Sequence, residues 1–220
     1  MGASGVLGSH MCQALIQQGA TVIATSSNEA TANKIASGVG FSTILDLTNS
    51  SSIELAAANI VNNAPIIDGV INCAGRVGFG PIAQTTLEQA SQLMQINHLG
   101  PAHFYALLLP ALSAACENNG EAFIAGITGV VAERSFPGLA AYGESKLAAS
   151  RHLAAIAQEF RRAKLRTVDA RPGHTETGLA TRPLFGEAPS FPTGMSPESV
   201  VSRILQGIAA NESEIPSTSF

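Results

Sequence analysis

Short runs of β-branched and aromatic residues alternate along the chain with longer segments in which apolar residues recur at helical spacing. The short runs predict strands at 21–25, 41–45, 66–72, 122–127, 165–170 and 213–217. The longer segments predict a first helix that ends at Gln18 and further helices at 29–37, 51–62, 86–95, 101–116, 141–160 and 197–211, the fourth and fifth as two helices or one bent helix. Ser51 and Glu54 have the capping-box spacing at the start of the third helix. Strands that alternate with helices indicate an α/β fold with a parallel sheet, here in one domain over residues 1–220.

Composition is compatible with one α/β core and with no membrane span. The chain has 220 residues, of which 13% are charged, and a mean hydropathy of +0.22. Its longest apolar stretch, 101–116, contains His103 and Tyr105 and is interrupted by Pro110. It is therefore shorter than the ~18–20 unbroken apolar residues that a spanning helix needs. Abundant alanine and glycine indicate close helix-on-sheet packing and a buried subunit face.

The charge balance and the spacing of cysteines and histidines argue against several classes of binding partner and cross-link. A net charge of −4 without a cluster of lysine or arginine argues against a nucleic-acid partner. Cys12, Cys73 and Cys116 are odd in number and widely spaced, and the five histidines have no ligand spacing, so neither a disulfide framework nor a metal site is expected. No signal-peptide pattern opens the chain. The expected location is the reducing cytoplasm.

The chemistry centres on Tyr142 and Lys146, which lie four residues apart in a predicted helix. Residues at this spacing share one helix face. A free tyrosine titrates near pH ~10, and a nearby cation lowers its pKa. The pair therefore predicts a proton donor or acceptor for a carbonyl or alcohol oxygen. Taken alone, the spacing also arises by chance.

A glycine loop opens the chain. Gly2, Gly5 and Gly8 precede a helix and then a strand, an arrangement that lets backbone approach a pyrophosphate at a helix N-terminus. The same arrangement requires a strand before the first glycine, and here only Met1 precedes it. We expect the native polypeptide to begin upstream with an apolar, β-branched strand.

Further motifs follow in a fixed order. They are Gly2-Ala-Ser-Gly-Val-Leu-Gly8, Leu45-Asp46-Leu47-Thr48, Asn72-Cys-Ala-Gly75, Asn97-His-Leu-Gly100, Pro137-Gly-Leu-Ala-Ala-Tyr142 with Lys146, and Arg171-Pro-Gly-His-Thr-Glu-Thr177. Together they resemble the short-chain dehydrogenase/reductase family over nearly the whole chain. The glycine loop departs from that pattern, because its spacing is Gly-x-x-Gly-x-x-Gly rather than Gly-x-x-x-Gly-x-Gly.

The resemblance implies a fold and a reaction. The fold is a doubly wound Rossmann-type parallel sheet with helices on both faces, its first strand missing or truncated. The reaction is hydride transfer between a nicotinamide and a small-molecule carbonyl or alcohol substrate. By this resemblance Tyr142 is the acid-base group, Lys146 lowers its pKa and binds ribose hydroxyls, and Asn97 holds a water that connects the lysine to solvent. A small-residue helix face would make a homodimer or homotetramer, and its members are Ala148, Ala149, Ala154 and Ala155.

The resemblance also implies a set of cofactor contacts. They are Gly2, Ser4, Gly5, Leu7, Gly8, Ser26, Ser27, Asp46, Leu47, Asn72, Ala74, Gly75, Tyr142, Lys146, Pro172, Gly173, Thr175 and Thr177. Members of the family that prefer NAD carry an acidic residue after the second strand, to bind the ribose 2′-hydroxyl. That position is Ser26 here, followed by Ser27 and Asn28, so NADP(H) is expected over NAD(H).

One family residue is absent. The serine expected thirteen residues before the tyrosine, which would hydrogen-bond the substrate oxygen, is Gly129. Thr128 is the candidate replacement if the backbone turns, and otherwise it is a β-branched residue at a strand end. Loss of one such donor costs ~10²–10³ in rate. We therefore expect Gly129→Ser to raise kcat if the donor limits turnover, and the alternative function is an inactive nucleotide-binding sensor or scaffold.

Overall fold

Seven α-helices and six β-strands alternate along the computed structural model, which describes residues 1–220. The helices are α1 (Val6–Gln17), α2 (Glu29–Ala32), α3 (Ser50–Asn63), α4 (Leu87–Met94), α5 (Gly100–Asn119), α6 (Ala140–Glu159) and α7 (Pro197–Ala209). The strands are β1 (Ile23–Ser26), β2 (Phe41–Ile44), β3 (Gly69–Asn72), β4 (Ala122–Ile127), β5 (Leu165–Ala170) and β6 (Glu214–Ile215). All strand pairs are parallel, as the alternation of strands and helices predicted.

The parallel strands form two sheets. β1 pairs with β2, and a second sheet has the order β3-β4-β5-β6. No strand lies between β1 and β3, at the place where the sequence pattern lacks its first strand. Met1 and Ala3 cross this interval: the Met1 amine donates to the Ile71 oxygen at 2.7 Å, the Met1 oxygen accepts from the Cys73 amide at 3.1 Å, and the Ala3 amide donates to the Thr25 oxygen at 2.9 Å. Met1 is thus joined to β3 by two backbone hydrogen bonds and Ala3 to β1 by one, in place of a full strand ladder.

Helices cover both faces of the four-stranded sheet, as the doubly wound fold requires. On one face α3, α5 and α6 bury a cluster that includes Phe104, Leu112 and Leu153. On the other face α1 and α7 bury a smaller cluster around Val168 and Ile204. Because successive side chains of β4 and β5 point to opposite faces, both clusters draw on the same strands.

The predicted fourth and fifth helices are one continuous helical stretch. α4 and α5 are joined by a π-helical turn at Gln95–Leu99, in which Asn97 is the buried residue. The whole stretch, Leu87–Asn119, has the length and hydropathy to cross a membrane, a property that core helices share. In this fold Phe104 and Leu108 of the stretch pack in the sheet core.

Several element boundaries differ from the sequence-based prediction. α2 ends at Ala32 rather than residue 37, because the Ile35 amide bonds three residues back, to the Ala32 oxygen. α3 begins earlier than expected: Asn49, not Ser51, is its cap, and the Asn49 side chain accepts from the Ser52 amide at 3.1 Å. β3 starts at Gly69 instead of 66, because the Ile67 amide donates to the Ala111 oxygen of α5.

Candidate functional site

The residues with candidate chemistry meet at the carboxyl ends of β3, β4 and β5, where ligands bind in open α/β sheets. Lys146, on α6, is 7% exposed, and its ammonium donates to the Ile127 oxygen at the end of β4 at 2.8 Å. Burial lowers the pKa of Lys146 to about 8, and the nearby carboxylate of Asp169 opposes that change. The lysine is therefore a cation held in a largely buried site and easily deprotonated.

Tyr142 lies one turn before Lys146 on α6. Burial raises the pKa of Tyr142 to about 12. The structure contradicts the expectation that Lys146 lowers this pKa, because burial dominates and the lysine directs its ammonium at the Ile127 carbonyl. Tyr142 is thus a neutral phenol at physiological pH, a state suited to donating a proton.

Asn97 connects α6 to the loop after β3. It is 2% exposed, and its amide nitrogen donates to the Ser145 hydroxyl and to the Arg76 oxygen, both at 2.9 Å. Its amide oxygen accepts from the Arg76 amide at 2.9 Å. Ser145 in turn donates to the Tyr142 carbonyl at 2.7 Å. The π-helical turn therefore aims Asn97 across the site, and all polar atoms of its side chain are bonded.

The glycine loop is closed so tightly that a side chain would not fit at Gly2 or Gly8. Gly2 has a φ of +72°, and a Cβ there would lie 2.8 Å from the Ala74 amide nitrogen. A Cβ on Gly8 would lie 2.2 Å from the Gly2 oxygen. Gly5 is the N-cap of α1 and offers no side-chain hydrogen bond, so the free amides of the first helical turn are uncapped. Such a helix start suits a phosphate.

The loop that follows β3 at Asn72 lies beside Lys146. The Asn72 side-chain oxygen accepts from the Ala74 amide at 2.9 Å. A Cβ on Gly75 would lie 3.1 Å from the Lys146 ammonium nitrogen, closer than nearly all real contacts. Glycine at 75 therefore keeps the space beside the lysine open.

Two further segments contribute backbone rather than free side chains. Asp46 accepts from the amide of Thr48 at 2.9 Å and from its hydroxyl at 2.7 Å, so its side chain closes a local turn. The carbonyl of Leu47 accepts from Gln95 at 3.0 Å, and the Leu47 side chain is buried. Ser4 and Leu7 are half-buried in the glycine loop and α1.

The two serines after β1 differ in exposure. Ser26 is 1% exposed, and its hydroxyl lies 3.4 Å from the Asn28 carbonyl oxygen. Ser27 is exposed and accepts from the Asn28 amide group at 3.2 Å. Of the two hydroxyls expected near the ribose, Ser27 is thus the one open to a ligand.

The segment after β5 folds over the loop that follows β3. Pro172 is buried, the Thr175 hydroxyl donates to the Gly173 oxygen at 3.1 Å, and the Leu179 amide donates to the Thr177 hydroxyl at 3.3 Å. Farther on, the Phe79 amide donates to the Phe185 oxygen at 3.0 Å. The Phe185 ring occupies the place that a side chain at residue 78 would fill. The sequence pattern did not predict this contact between the segment after β5 and the loop after β3, because its hydrogen bonds join backbone groups far apart in sequence.

The structure does not direct Thr128 toward a substrate. Thr128 is 2% exposed, and its hydroxyl donates to Asp169 at 2.5 Å. The same carboxylate accepts from Ser150 at 2.6 Å and from Arg171 at 2.8 Å. The assignment of Thr128 as a replacement donor is therefore wrong in this geometry, because its only proton is used inside the protein. Asp169 itself was missed, although a carboxylate between two apolar residues of a predicted strand is a signal.

Gly129 has a backbone conformation that disfavours serine. Its φ is +81° and its ψ is 166°, a region essentially restricted to glycine. A Cβ would meet only ordinary contacts, the nearest being the Pro172 oxygen at 3.5 Å. The obstacle to a side chain is thus backbone strain and not lack of space.

We expect Gly129→Ser to lower the free energy of unfolding by about 1–3 kcal/mol, a cost that is separate from the effect on kcat predicted from the sequence. Urea denaturation measures this free energy of unfolding. Gly173→Ala is the matched control, because its φ is not positive and its Cβ would have only one neighbour, at 3.8 Å. Equal stabilities of the two variants would contradict the strain argument.

The family model for short chain dehydrogenases matches residues 1–183 of the chain. The chain is 25% identical over 218 residues to an uncharacterized oxidoreductase of Staphylococcus epidermidis, covering 97% of this chain and 93% of that protein. It is also 25% identical over 177 residues to dehydrogenase/reductase SDR family member 7B of Danio rerio, covering 77% of this chain and 56% of that relative.

Solved structures share the fold. A short chain dehydrogenase from Burkholderia cenocepacia J2315 in complex with NADP superposes with a TM-score of 0.84 at 22% identity, covering 99% of this chain and 85% of that one. A short chain dehydrogenase/reductase from Burkholderia phymatum in complex with NAD also gives 0.84, at 18% identity and with coverages of 98% and 86%. At these identities the likeness establishes the architecture.

Proposed function

Because the chain belongs to the short chain dehydrogenase family, we propose that it is an NAD(P)-dependent oxidoreductase acting on a small carbonyl or alcohol. The observation that carries the proposal is the placement of Tyr142 one helical turn before Lys146, at the carboxyl ends of the strands, with Asn97 bonded to Ser145 on the same helix. A turnover assay with NADPH and NADH over a panel of aldehydes, ketones and alcohols tests it.

The residues present fit a dinucleotide. The glycine loop allows close backbone approach, and the uncapped start of α1 offers amides to a pyrophosphate. Gly75 leaves room beside Lys146 for a ribose. The segment Pro172–Thr177 would contact the nicotinamide end. When bound, the cofactor supplies or accepts the hydride, and the protein supplies position and electrostatics.

In this proposal the protein's side chains carry out the proton transfer. Tyr142 donates its phenolic proton to the carbonyl oxygen as that oxygen gains negative charge, and in the reverse direction it receives the alcohol proton. Lys146 stabilises the phenolate that remains, since an opposite charge favours the ionised form. Its ammonium must leave the Ile127 carbonyl, or share its protons with it, when ribose hydroxyls bind.

We propose NADP(H) as the preferred cofactor. None of Ser26, Ser27 and Asn28 carries a charge that would repel a 2′-phosphate, and Ser27 is exposed. Fluorescence titration should give a lower Kd for NADPH than for NADH. Ser27→Asp, at the exposed position, should weaken the binding of NADPH more than that of NADH, because the new carboxylate repels the 2′-phosphate. Tenfold tighter binding of NADH by the wild type, about 1.4 kcal/mol, would reverse this preference.

A second candidate function is a nucleotide-binding sensor or scaffold with little or no turnover. It is favoured by one observation: the position of the usual serine is Gly129, and the adjacent Thr128 hydroxyl is bonded to Asp169. Cofactor binding without turnover on any substrate of the panel would select it.

We also propose a homodimer or homotetramer in the cytoplasm. Leu99 is 49% and Leu147 is 46% exposed on neighbouring helical segments, close to Ala148. These apolar side chains suit a subunit contact. The three cysteines are free, as in a reducing compartment.

A further inference from the structure

A buried carboxylate lies next to the candidate site, at the carboxyl end of β5. Asp169 is 4% exposed, and both of its side-chain oxygens accept hydrogen bonds. Oδ1 accepts from the Thr128 hydroxyl at 2.5 Å, and Oδ2 accepts from the Ser150 hydroxyl at 2.6 Å and from Arg171 at 2.8 Å. A buried charge is costly unless it is paired and hydrogen-bonded. The fold therefore maintains a charge at this place, and the proton transfer proposed above does not use it.

Two of these hydrogen bonds join the segments that hold Lys146. Thr128 directly follows Ile127, whose carbonyl accepts from the Lys146 ammonium at 2.8 Å. Ser150 lies four residues after Lys146 on α6, so the two side chains share one face of the helix. A single carboxylate thus connects the end of β4 to α6 on both sides of the contact between the lysine and the strand.

The chain leaves the sheet at this point and needs an anchor. The amides of Thr128 and Gly129 both donate to the Ala170 oxygen, at 2.9 and 3.2 Å, so the regular ladder ends there. Gly129 then turns with a φ of +81°. The hydroxyl of Thr128 is the side-chain contact that fixes this turn to β5, and with it the direction of the Ile127 carbonyl.

Arg171 is shared among three carboxylates. Its guanidinium lies 2.8 Å from Asp169, 3.3 Å from Glu214 and 4.0 Å from Glu133. Glu133 also accepts from the amide and the hydroxyl of Ser217. One arginine against three carboxylates leaves the cluster negative, so Asp169 can stabilise a second cation.

Lys146 is that second cation. Burial lowers the pKa of Lys146 to about 8, whereas Asp169 and, to a smaller extent, Cys73 in the loop after β3 raise it. An opposite charge favours the ionised form of a group. Asp169 therefore helps to keep the lysine protonated as well as placed.

The other titratable groups around Lys146 do not obscure its titration. Tyr105, His98 and His152 border the same cavity as the lysine. Burial raises the pKa of Tyr105 and lowers the pKa of both histidines, so all three are neutral where the lysine titrates. Burial also raises the pKa of Tyr142, to about 12.

We propose that Asp169 is a positioning residue, which clamps the end of β4 to α6 and so holds the Ile127 carbonyl and the Lys146 ammonium together. The inference rests on the proposed oxidoreductase function and adds one residue to it. Asp169 acts through Thr128, Ser150 and the charge of the lysine, and it takes part in no bond-making step.

The first test compares Asp169→Asn with wild type across the pH range in which Lys146 titrates. In the wild type the Kd for NADPH should rise and kcat should fall as the lysine loses its proton, near the pH of about 8 at which it titrates. In the variant the midpoint of both changes should move to lower pH by about one unit, because a neutral amide no longer favours the ammonium. Fluorescence titration gives Kd, and steady-state kinetics with the best carbonyl of the panel give kcat.

Thr167→Val is the matched control for the loss of the carboxylate. Thr167 is buried two residues earlier on β5 and is not bonded to Asp169. Its replacement should leave the midpoint, Kd and kcat unchanged. A carboxylate that serves only stability would lower the thermal midpoint of Asp169→Asn without moving the pH midpoint, and that result would overturn the proposal.

The second test removes the clamp and keeps the charge. Thr128→Val should lower kcat about tenfold, the size of one lost hydrogen bond to a charged group, without moving the pH midpoint. Thr128→Ser, which keeps the hydroxyl, should restore most of the rate. In the Asp169→Asn background Thr128→Val should cause little further loss, because the two residues act as one unit.

The result that would contradict the clamp is a Thr128→Val variant with the kcat and Kd of wild type. If Asp169→Asn does not fold, as thermal unfolding shows, the comparison of Thr128→Val with Thr128→Ser decides alone. Absence of wild-type turnover over the whole panel would overturn the proposed function, and the pH dependence of NADPH binding would still test Asp169.

Discussion

Tyr142→Phe is expected to lower kcat by about 10²–10⁴-fold, the range of a lost general acid. The variant removes only the hydroxyl, and the ring continues to fill its place on α6. Lys146, Asn97 and Ser145 keep their bonds, because Ser145 contacts the Tyr142 backbone carbonyl and not its phenol. The Kd for NADPH should therefore change by less than about twofold. Steady-state kinetics and fluorescence titration on one preparation measure both quantities.

The control is Glu144→Gln, two residues along the same helix. Glu144 is exposed, so its replacement should leave kcat and Kd unchanged. Equal turnover by wild type and Tyr142→Phe would remove Tyr142 from the acid-base role. A parallel loss of cofactor affinity would mean that the hydroxyl serves binding rather than proton transfer.

Gly8→Ala is expected to destabilise the protein by about 3 kcal/mol and to weaken NADPH binding at least about tenfold. The added Cβ would lie 2.2 Å from the Gly2 oxygen and 2.8 Å from the Ala3 Cα, and both are backbone atoms that cannot rotate away. The loop must open, and the amides of α1 then lose their alignment with a phosphate. Urea denaturation and fluorescence titration measure the two effects.

Gly5→Ala is the matched control for this steric argument. Gly5 has a negative φ of −81°, and a Cβ there would have one neighbour, the Gly2 oxygen at 3.4 Å. Its stability should fall by less than about 1 kcal/mol, the cost of alanine at a helix N-cap. A Gly8→Ala variant as stable as Gly5→Ala would show that the loop is looser than these contacts require.

The sequence predicted best the bounds of the strands that are buried on both faces of the sheet. β4 and β5 begin and end where predicted, because their residues are buried on both faces of the sheet. β1 was predicted to begin two residues too early and β3 three residues too early, because apolar residues also precede each strand. Ile67, for example, bonds to α5. Composition does not distinguish a strand residue from an apolar residue in the preceding loop.

The candidate site was predictable in its motifs and not in its cross-connections. The spacing of Tyr142 and Lys146 predicted a shared helix face, and both lie on α6. The hydrogen bonds that Thr128 and Ser150 donate to Asp169 join segments far apart in sequence, so local sequence patterns do not predict them. The same holds for the pKa of Tyr142, because its increase depends on burial in the assembled fold.

The central claim is that this chain transfers hydride between a nicotinamide and a carbonyl carbon. The most direct measurement follows the nicotinamide absorbance of NADPH with purified protein and the carbonyl panel, and quantifies the alcohol formed. The account predicts that one alcohol forms for each NADPH oxidised, and that Tyr142→Phe suppresses both changes together. NADPH that binds at the glycine loop but is not consumed with any carbonyl, or its alcohol with NADP⁺, would contradict the claim and favour the sensor.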